Sequence, residues 1–438
     1  MSDALLTDLY ELTMMAGYHA EGRAEESATF DVFFRSPPEG IPLVVAAGLQ
    51  VVLDHLDGLH FAAEDIAFLR SLGRFEESFL AYLADLRFSG DVWAVPEGLP
   101  VFGNEPILRV TGPLAEAQWV ETALLARICY SSLVASTAVE VVHAAGGTPV
   151  VEFGARRAHG PDGAVTGARA AVIGGCASTS NVEAGRRFGL PVSGTLAHSW
   201  IMSYERELDA FRAFARTFPD HCVLLVDTYD TLGQGVPNAI TVARELAAQG
   251  HALAGIRLDS GDLADLARGA RRMLDAAGLA EVAILASGDL DAERIRALRR
   301  AGAPIDGFGV GTSLITARRD PAFNGVYKLA ELAGNPVLKI SGTPDKTTIP
   351  GRKQVWRGPE GDVIGLADEE LEGEPLLVEV MRGGRRLADP TPVSDLAERC
   401  RHAVAGVRAA VDAGRWTVGC SDRLEAMRAD LVTRHRPA

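Results

Sequence analysis

The alternation of apolar and polar positions first divides the N-terminal third of the chain into short elements. Residues 61–88 carry apolar side chains at helical spacing, which predicts a helical segment. Residues 90–111 alternate and are interrupted by Gly and Pro, which predicts short strands of an open sheet. A long helix is predicted over 119–145, where the rhythm of the sequence changes.

Seven short apolar runs follow that helix, and each ends in a polar or glycine-rich cluster. The runs are PVVEFGARR (149–157), AAVIGGCASTSN (170–181), LPVSGTLAHS (190–199), CVLLVDTYD (222–230), LAGIRLDSGD (253–262), VAILASGDLD (282–291) and IDGFGVGTSL (305–314). Helical patterns at 238–249 and 262–278 separate the later runs. Apolar strands that alternate with helices imply a parallel sheet. Their repeat is close to the roughly 30 residues of one βα unit in a barrel. We therefore predict an α/β fold with an irregular parallel barrel, whose functional residues lie at the carboxyl ends of its strands.

The pattern changes again past residue 320. KQVWRGPEGDVIGL and EPLLVEVMRGGRRL predict strands around glycine turns, and residues 394–413 predict a helix that Ser394 could cap. Residues 341–353 predict a mobile basic loop that either is solvated or closes over a phosphate. The predicted domains are 1–118, 119–324 and a C-terminal segment, 325–438, partly packed with the first.

Composition and charge exclude several classes of protein. The chain has 47% hydrophobic and 23% charged residues, which is ordinary globular composition. Its net charge of -15 argues against nucleic-acid partners and against binding to anionic membranes. Five widely spaced cysteines without a CxxC pair argue against disulfides or zinc. No signal peptide and no apolar run of the ~18–20 residues that a membrane span needs is evident, so we expect a soluble cytoplasmic protein.

Two glycine-containing turns follow successive predicted strands and are candidate phosphate sites. The first, ASGDLD, holds Ser287, Gly288 and Asp289, and it precedes a helical pattern. The second, GFGVGTSL, holds Gly309, Gly311 and Thr312. Backbone N–H groups at a helix N-terminus bind phosphate. Late strands of barrels often carry such a site, so the pair predicts phosphate binding.

Charged side chains end the neighbouring strands. Asp227 and Asp259 could hold Mg²⁺ together with a phosphorylated substrate, or stabilise positive charge on a ribose carbon, whereas Asp262 suits a helix cap. Arg257 lies in an otherwise apolar run, and a buried arginine needs an anionic partner. Arg156, Arg157 and Arg169 also lie at or near predicted strand ends.

His198 is the candidate nucleophile. A single histidine near a strand end is more often structural than catalytic. Imidazole can nevertheless take up a phosphoryl group and release it again. Thr195 and Ser199 lie close in sequence and could bind phosphate oxygens.

These residues belong to blocks that resemble the nicotinate phosphoribosyltransferase family, in order, from residue 7 to about residue 357. The blocks are TDLYELTMMAGY (7–18), EFGARRAHGPDGA (152–164), GTLAHSW (194–200), VDTYDT (226–231), GIRLDSGDL (255–263), GVGTSL (309–314) and VYKLAEL (326–332). The resemblance implies a type II phosphoribosyltransferase fold, with an open-faced α+β sandwich domain beside the barrel. It also implies a head-to-tail homodimer with shared active sites.

The resemblance implies a reaction and a role for each matching residue. Nicotinate and phosphoribosyl pyrophosphate would give nicotinate mononucleotide and pyrophosphate, with Mg²⁺, and ATP would be coupled through phosphorylation of His198. The residues implied to bind the base are Tyr10 (in the partner's pocket), Phe153, Arg156, Thr195 and Arg257. Asp227 and Asp259 are implied to surround the phosphoribosyl substrate, and Gly288, Asp289, Gly311 and Thr312 to bind phosphate.

The alternatives differ in substrate or in chemistry. Nicotinamide phosphoribosyltransferase has an aspartate where this chain has Ser180, and a hydroxyl can donate to a substrate carboxylate that an aspartate would repel. Quinolinate phosphoribosyltransferase lacks the histidine and the C-terminal extension. A barrel lyase or isomerase would need a lysine or a general base at the barrel mouth. The predicted barrel strands contain no lysine, and Lys328, Lys339, Lys346 and Lys353 all come later. A catalytically inactive relative would have lost some of these residues, and none is lost.

Overall fold

The computed structural model describes residues 3–342 and 347–435. The chain forms two compact units, Met1–Leu133 with Ala322–Ala438 (unit 1) and Val134–Pro321 (unit 2). These divisions differ from the predicted boundaries after residues 118 and 324, and the predicted domain ranges stay a prediction. Lys346 and part of the predicted basic loop lie outside the described residues.

The N-terminal part of the chain contains short elements and one long helix. They are α1 (Leu9–Ala20), β1 (Ser27–Phe34), β2 (Val44–Val45), α2 (Leu49–Leu56), α3 (Ala63–Ser71), α4 (Glu77–Asp85), β3 (Asp91–Ala94), β4 (Pro100–Val101), β5 (Leu108–Pro113), α5 (Leu114–Trp119) and α6 (Glu121–Ala145). The predicted helical segment 61–88 is two helices, α3 and α4. The helical segment is interrupted at Gly73, whose φ of 63° does not continue a right-handed helix.

Unit 2 alternates strands and helices. Its elements are β6 (Val150–Glu152), α7 (Pro161–Ile173), β7 (Ser178–Thr179), α8 (Val182–Phe188), α9 (His198–Met202), α10 (Glu207–Thr217), β8 (Val223–Leu225), α11 (Val236–Ala247), β9 (Gly255–Leu258), α12 (Leu263–Ala276), β10 (Ala283–Ala286), α13 (Ala292–Arg300), β11 (Gly307–Val310) and α14 (Thr312–Ile315). The strands pair in parallel in the order β7-β6-β11-β10-β9-β8. The α/β class and the parallel sheet are thereby confirmed. Among the described residues, no pairing joins β7 to β8, so barrel closure stays a prediction.

Two of the seven apolar runs contain little or no β-strand. Residues 170–173 end helix α7, and only the short β7 follows them. A short apolar run does not by itself distinguish a buried helix from a strand, and this one is rich in alanine. Residues 190–199 form a single bridge, between Thr179 and Val192. His198 therefore begins helix α9 instead of ending a strand.

The C-terminal part completes unit 1. It contains β12 (Gly325–Leu332), β13 (Asn335–Pro336), β14 (Lys353–Arg357), β15 (Gly361–Leu366), β16 (Glu374–Pro375), β17 (Val378–Arg382), β18 (Arg385–Arg386), α15 (Val393–Asp412), β19 (Thr417–Cys420) and α16 (Asp422–His435). A seven-stranded antiparallel sheet has the order β13-β12-β1-β5-β3-β17-β18, and a second sheet has the order β16-β14-β15-β19. One apolar core includes side chains from both parts of the sequence, from Ala4 to Leu424. The open-faced sandwich stays a prediction. Ser394 does not cap α15, because it is the second residue of that helix, which follows Pro392.

One helix in the described residues, α6, is long and apolar enough to cross a membrane by length and composition. Of its most apolar window, 61% is buried by the rest of the chain. A core helix passes the same test, so this helix is weak evidence for a membrane span.

Two buried carboxyl groups lie side by side in unit 1. Asp362 accepts hydrogen bonds from Arg357 Nε at 3.0 Å and Nη2 at 2.6 Å. The guanidinium of Arg357 lies over the rings of Phe102 and Trp416. Burial and the adjacent Asp362 raise the pKa of Glu105 well above its usual range. Glu105 is therefore a protonated acid in the folded protein at pH values where it is ionised in the unfolded chain.

The Glu105→Gln variant is expected to flatten the pH dependence of stability. Because the folded-state pKa of Glu105 is raised, its contribution is fully present below about pH 4 and is lost as the pH rises through the folded value. The slope is at most about 1.4 kcal/mol per pH unit for one proton. Urea denaturation at pH 5 and pH 8 should show a smaller loss for Glu105→Gln than for the native chain, with Glu374→Gln as an exposed control. Equal losses would refute this account.

Candidate active site

A cleft of about 570 Å³ lies at the carboxyl ends of the parallel strands in unit 2. It brings together most of the residues singled out in the sequence. Those that line it are Phe153, Arg156, Arg157, Ser180, Thr195, His198, Arg257, Asp259, Ser287, Gly288, Asp289, Gly309, Gly311 and Thr312. Asp227 does not line the cleft, but it bonds to residues that do. Tyr10 lies on α1 in unit 1 and is 46% exposed. Ser199 is not among the lining residues.

Asp227 and Asp259 follow the adjacent strands β8 and β9 and are connected by hydrogen bonds. Asp227 Oδ2 accepts from the backbone N–H of Asp259 and from Ser260 Oγ, both at 2.8 Å. Asp259 Oδ1 accepts from Ser287 Oγ at 2.5 Å, which links it to the end of β10. Only Asp259 of the two carboxylates faces the cleft, so it is the one placed to meet a substrate.

His198 lies beside the buried carboxylate. Its Nε2 is 3.4 Å from Asp227 Oδ1, and the Asp227 side chain is 1% exposed whereas that of His198 is 38% exposed. Oδ1 has no hydrogen-bond partner within the described ranges. A small rotation of the ring would give Nε2–H a strong acceptor, and Nδ1 would then keep the lone pair.

Arg257 is a half-buried cation that forms no ion pair with a carboxylate among the described residues. Its Nη1 donates to Thr195 Oγ1, and its Nε has no partner in the part of the chain that the structure describes. Burial lowers the pKa of Arg257, while the nearby Asp259 and Asp227 oppose this shift. A buried guanidinium in this position is suited to an anionic ligand group, because the fork of donors matches a carboxylate or a phosphate.

The first glycine turn connects β10 to α13. Gly288 and Asp289 both have positive φ, of 95° and 49°. A Cβ at residue 288 would overlap the carbonyl oxygen of Asp259, so only glycine fits there. Asp291 caps α13 by accepting from the Arg294 N–H at 2.8 Å. Gly288, Asp289 and Arg294 line the cleft, so this glycine turn and the first turn of α13 border it.

The second turn supports the aromatic ring. Phe153 follows β6, and its N–H donates to Val310 O on β11 at 2.8 Å. A Cβ at Gly309 would come within 2.5 Å of the Phe153 ring, so the glycine allows the ring to lie against the strand. Gly311 and Thr312 continue from β11 into the short α14.

Ser180 is held by a buried network at the edge of the sheet. Its N–H donates to Glu152 O at 2.9 Å. The carboxyl of Glu152 accepts from Thr179 Oγ1 at 2.6 Å and from Gly154 N. Burial raises the pKa of Glu152, and these hydrogen bonds oppose the shift. The same glutamate therefore fixes the segments that carry Phe153 and Ser180.

Several contributors to the cleft have only a weak sequence signal. Arg294 lines the cleft from the first turn of α13, and its Nη1 donates to Asp289 O at 2.8 Å. An arginine just after a phosphate-type turn is a usable signal, but arginines at exposed helix positions are common. Ser260 bonds to Asp227, and nothing in its spacing indicates this.

The donors present fit a magnesium ion only in part. The described residues include no group of three or more His, Cys, Asp or Glu side chains that could hold a metal by themselves. Mg²⁺ is commonly bound through one or two carboxylates together with substrate phosphates. Asp259 fits that pattern because it lines the cleft, whereas the free oxygen of Asp227 faces His198.

Together these groups form one cleft in an α/β unit, with two glycine turns, a carboxylate, a half-buried arginine and an aromatic ring. Comparison with known proteins narrows the class. The profile of the nicotinate phosphoribosyltransferase (NAPRTase) N-terminal domain matches residues 5–129, and that of the NAPRTase family matches residues 149–375.

Individual relatives agree with the profiles. Nicotinate phosphoribosyltransferase pncB2 of Mycobacterium tuberculosis is 48% identical over 397 residues, covering 90% of this chain and 84% of its own. Nicotinate phosphoribosyltransferase of Bacillus subtilis is 46% identical over 385 residues, covering 85% and 78%. The crystal structure of human nicotinic acid phosphoribosyltransferase matches with a TM-score of 0.87 at 30% identity, over 97% of this chain and 99% of that one. The chain belongs to the nicotinate phosphoribosyltransferase family.

Proposed function

We propose that this chain transfers the phosphoribosyl group of phosphoribosyl pyrophosphate to nicotinate, and that it couples this transfer to ATP hydrolysis. The products would be nicotinate mononucleotide and pyrophosphate. The observation that carries the proposal is one cleft holding two glycine turns, a carboxylate, an aromatic ring and a half-buried arginine. Family membership supports the choice of substrates.

Each group has a part in the transfer step. The glycine turns bind the phosphates through backbone N–H groups. Asp259 stabilises the positive charge that grows on the ribose carbon as pyrophosphate leaves. Phe153 stacks on the pyridine ring, and Thr195 and Arg257 hold the base, so that its nitrogen is aligned to attack that carbon. Mg²⁺, held by Asp259 and substrate phosphates, would neutralise charge on the leaving pyrophosphate.

Coupling to ATP is assigned to His198. Nδ1 attacks the terminal phosphorus of ATP, the P–O bond to ADP breaks, and water later hydrolyses the phosphohistidine to inorganic phosphate. Asp227, close to Nε2, holds the imidazole in one orientation and stabilises it when it becomes positively charged. A homodimer in which Tyr10 enters the partner's cleft, and a cytoplasmic location, are further parts of the proposal.

The proposal is tested by offering the protein phosphoribosyl pyrophosphate, ATP and Mg²⁺ with either nicotinate or nicotinamide. Pyrophosphate release and ATP hydrolysis should both depend on nicotinate. Faster turnover of nicotinamide would overturn the acid assignment. Pyrophosphate release without any dependence on a base would overturn the transfer reaction itself.

The Ser180→Asp variant is expected to lower kcat/KM for nicotinate by roughly 100-fold. It places a carboxylate beside the substrate carboxylate, and a like-charge pair costs a few kcal/mol in a desolvated site. The loss for the neutral nicotinamide should be much smaller. Ser180→Ala removes only a donor and serves as the matched control, with a milder loss for nicotinate. Equal losses for acid and amide in Ser180→Asp would show that residue 180 does not face the carboxylate.

A further inference from the structure

Unit 1 buries an arginine that the proposed reaction does not use. Arg109, on the central strand β5, is 3% exposed. Its guanidinium carbon lies 5.0 Å from the centre of the Trp93 ring, and its Nη1 donates to Lys353 O at 2.5 Å. Its Nε has no hydrogen-bond partner within the described residues.

The charge of Arg109 lacks its own counterion. Asp31 lies opposite it on β1 but forms an ion pair of 2.7 Å with Lys353, which is also buried. Lys353 Nζ further donates to Ile349 O and Gly351 O. Two buried cations therefore share one buried carboxylate. No ion pair joins Arg109 to any carboxylate in the described ranges, and burial lowers the pKa of Arg109. A buried charge of this kind is costly unless an anion compensates it.

A cavity of about 240 Å³ lies against this arginine. It is far larger than the roughly 10–15 Å³ that one water molecule needs, so it has room for a small anion. Arg109, Arg352, Thr111, Trp93 and Asp91 line it. Arg352 also lines a larger cavity, of about 440 Å³. Arg352 is paired with Glu331 at 2.8 Å and is 47% exposed, which leaves its other nitrogens available.

The polar groups of this cavity include two cations, a hydroxyl and one carboxylate. The Thr111 and Thr29 hydroxyls are 3.0 Å apart, so Thr111 can accept from Thr29 and donate to a ligand. Asp91 Oδ1 accepts from the Gly383 N–H at 2.8 Å, and Oδ2 accepts no hydrogen bond from the described residues. A carboxylate repels an anion unless the anion offers it a hydrogen bond. Inorganic phosphate keeps at least one P–OH at neutral pH, whereas sulfate keeps none. A phosphate monoester, with its second pKa near 6, has lost most of its P–OH by pH 7.5.

We propose that this cavity binds inorganic phosphate, with Arg109, Arg352 and Thr111 donating to it and Asp91 accepting its P–OH. The site lies in unit 1 and is separate from the cleft of unit 2. The two arginines supply charge-assisted hydrogen bonds. Asp91 weakens the binding of sulfate and of phosphate monoesters, because these anions offer its carboxylate little or no O–H donor. The proposal does not depend on the function proposed for the cleft.

The experiment measures phosphate and sulfate bound per chain by equilibrium dialysis of the full-length protein at pH 7.5 and constant ionic strength. The Arg352→Gln variant is expected to bind phosphate at this site at least about tenfold more weakly, because hydrogen bonds to charged groups contribute about 1.5–3 kcal/mol. The Arg423→Gln variant, whose arginine lines only the larger cavity, is the matched control and should bind like the native chain. All these proteins share the same cleft, so phosphate bound there cancels in the comparison.

The Asp91→Asn variant tests selectivity. It removes the negative charge and can donate to the anion, so the native preference for phosphate over sulfate should fall to near equality at this site. Glycerol phosphate at pH 7.5 should bind the native site more weakly than inorganic phosphate. The proposal is overturned if Arg352→Gln binds as much phosphate as Arg423→Gln, or if Asp91→Asn leaves the preference unchanged. Both substitutions are at partly exposed positions, and the folding of each variant is checked by its urea unfolding curve.

Discussion

The His198→Ala variant is expected to lose nicotinate-dependent ATP hydrolysis while keeping a slow, ATP-independent transfer of the phosphoribosyl group. Removal of the attacking nucleophile from a covalent mechanism lowers the rate of that step by on the order of 10³-fold or more. The groups proposed to bind and align nicotinate and phosphoribosyl pyrophosphate remain in the cleft, so transfer can continue without ATP. The measurement is simultaneous release of pyrophosphate and inorganic phosphate, with and without ATP.

The chain provides a matched control for this variant. His251 and Asp220 form a second histidine–aspartate pair, at 2.8 Å, in unit 2 but outside the cleft. His251→Ala should keep both activities. Normal ATP hydrolysis by His198→Ala would refute the phosphohistidine, whatever its effect on transfer. Loss of transfer together with ATP hydrolysis would instead place His198 in the transfer step.

The Gly288→Ala variant is expected to lose at least roughly 100-fold in kcat/KM for phosphoribosyl pyrophosphate. The added Cβ would overlap the carbonyl oxygen of Asp259, so either the phosphate turn or the strand end carrying Asp259 must move. A displacement of about 1 Å in a catalytic group can cost 10²-fold in rate. Steady-state kinetics with varied phosphoribosyl pyrophosphate would measure the loss.

A second glycine serves as a control that separates the effect of a positive φ from the effect of the atomic overlap. Gly278 has a φ of 75°, and a Cβ there would meet no atom within 4 Å. Gly278→Ala should therefore cost about 1 kcal/mol of stability, with little effect on activity. If both variants lose activity equally, the close approach between Gly288 and Asp259 is not what the turn requires.

The sequence alone predicts structure correctly where strong local rules apply. The runs that became β9, β10 and β11 are apolar, end in glycine-rich clusters and alternate with amphipathic helices, so their strand ends and the Asp259 and Gly288 positions follow directly. Asp262 caps α12 as expected, because its Oδ1 accepts from Ala264 N and Asp265 N.

The sequence alone does not predict the structure where tertiary contacts decide which element forms or where a side chain lies. The alanine-rich residues 170–173 suit a buried helix as well as a strand, and packing selected the helix. The proximity of His198 to Asp227 is also set by the fold, because His198 begins α9 whereas Asp227 follows β8. Whether Asp227 would face the cleft or lie beneath it depends on backbone donors in the next loop, and no spacing rule predicts those.

Asp227 lies between the histidine proposed to take up phosphate and the carboxylate proposed to meet the ribose. One of its oxygens faces the imidazole of His198, and the other holds the backbone of Asp259. A change in the charge of the imidazole alters how strongly Asp227 accepts from that backbone N–H. The carboxylate of Asp227 thus couples the His198 imidazole to the backbone of Asp259. If His198 is phosphorylated as proposed, the change in its charge reaches the strand end that carries Asp259 through a 3.4 Å approach and a 2.8 Å hydrogen bond.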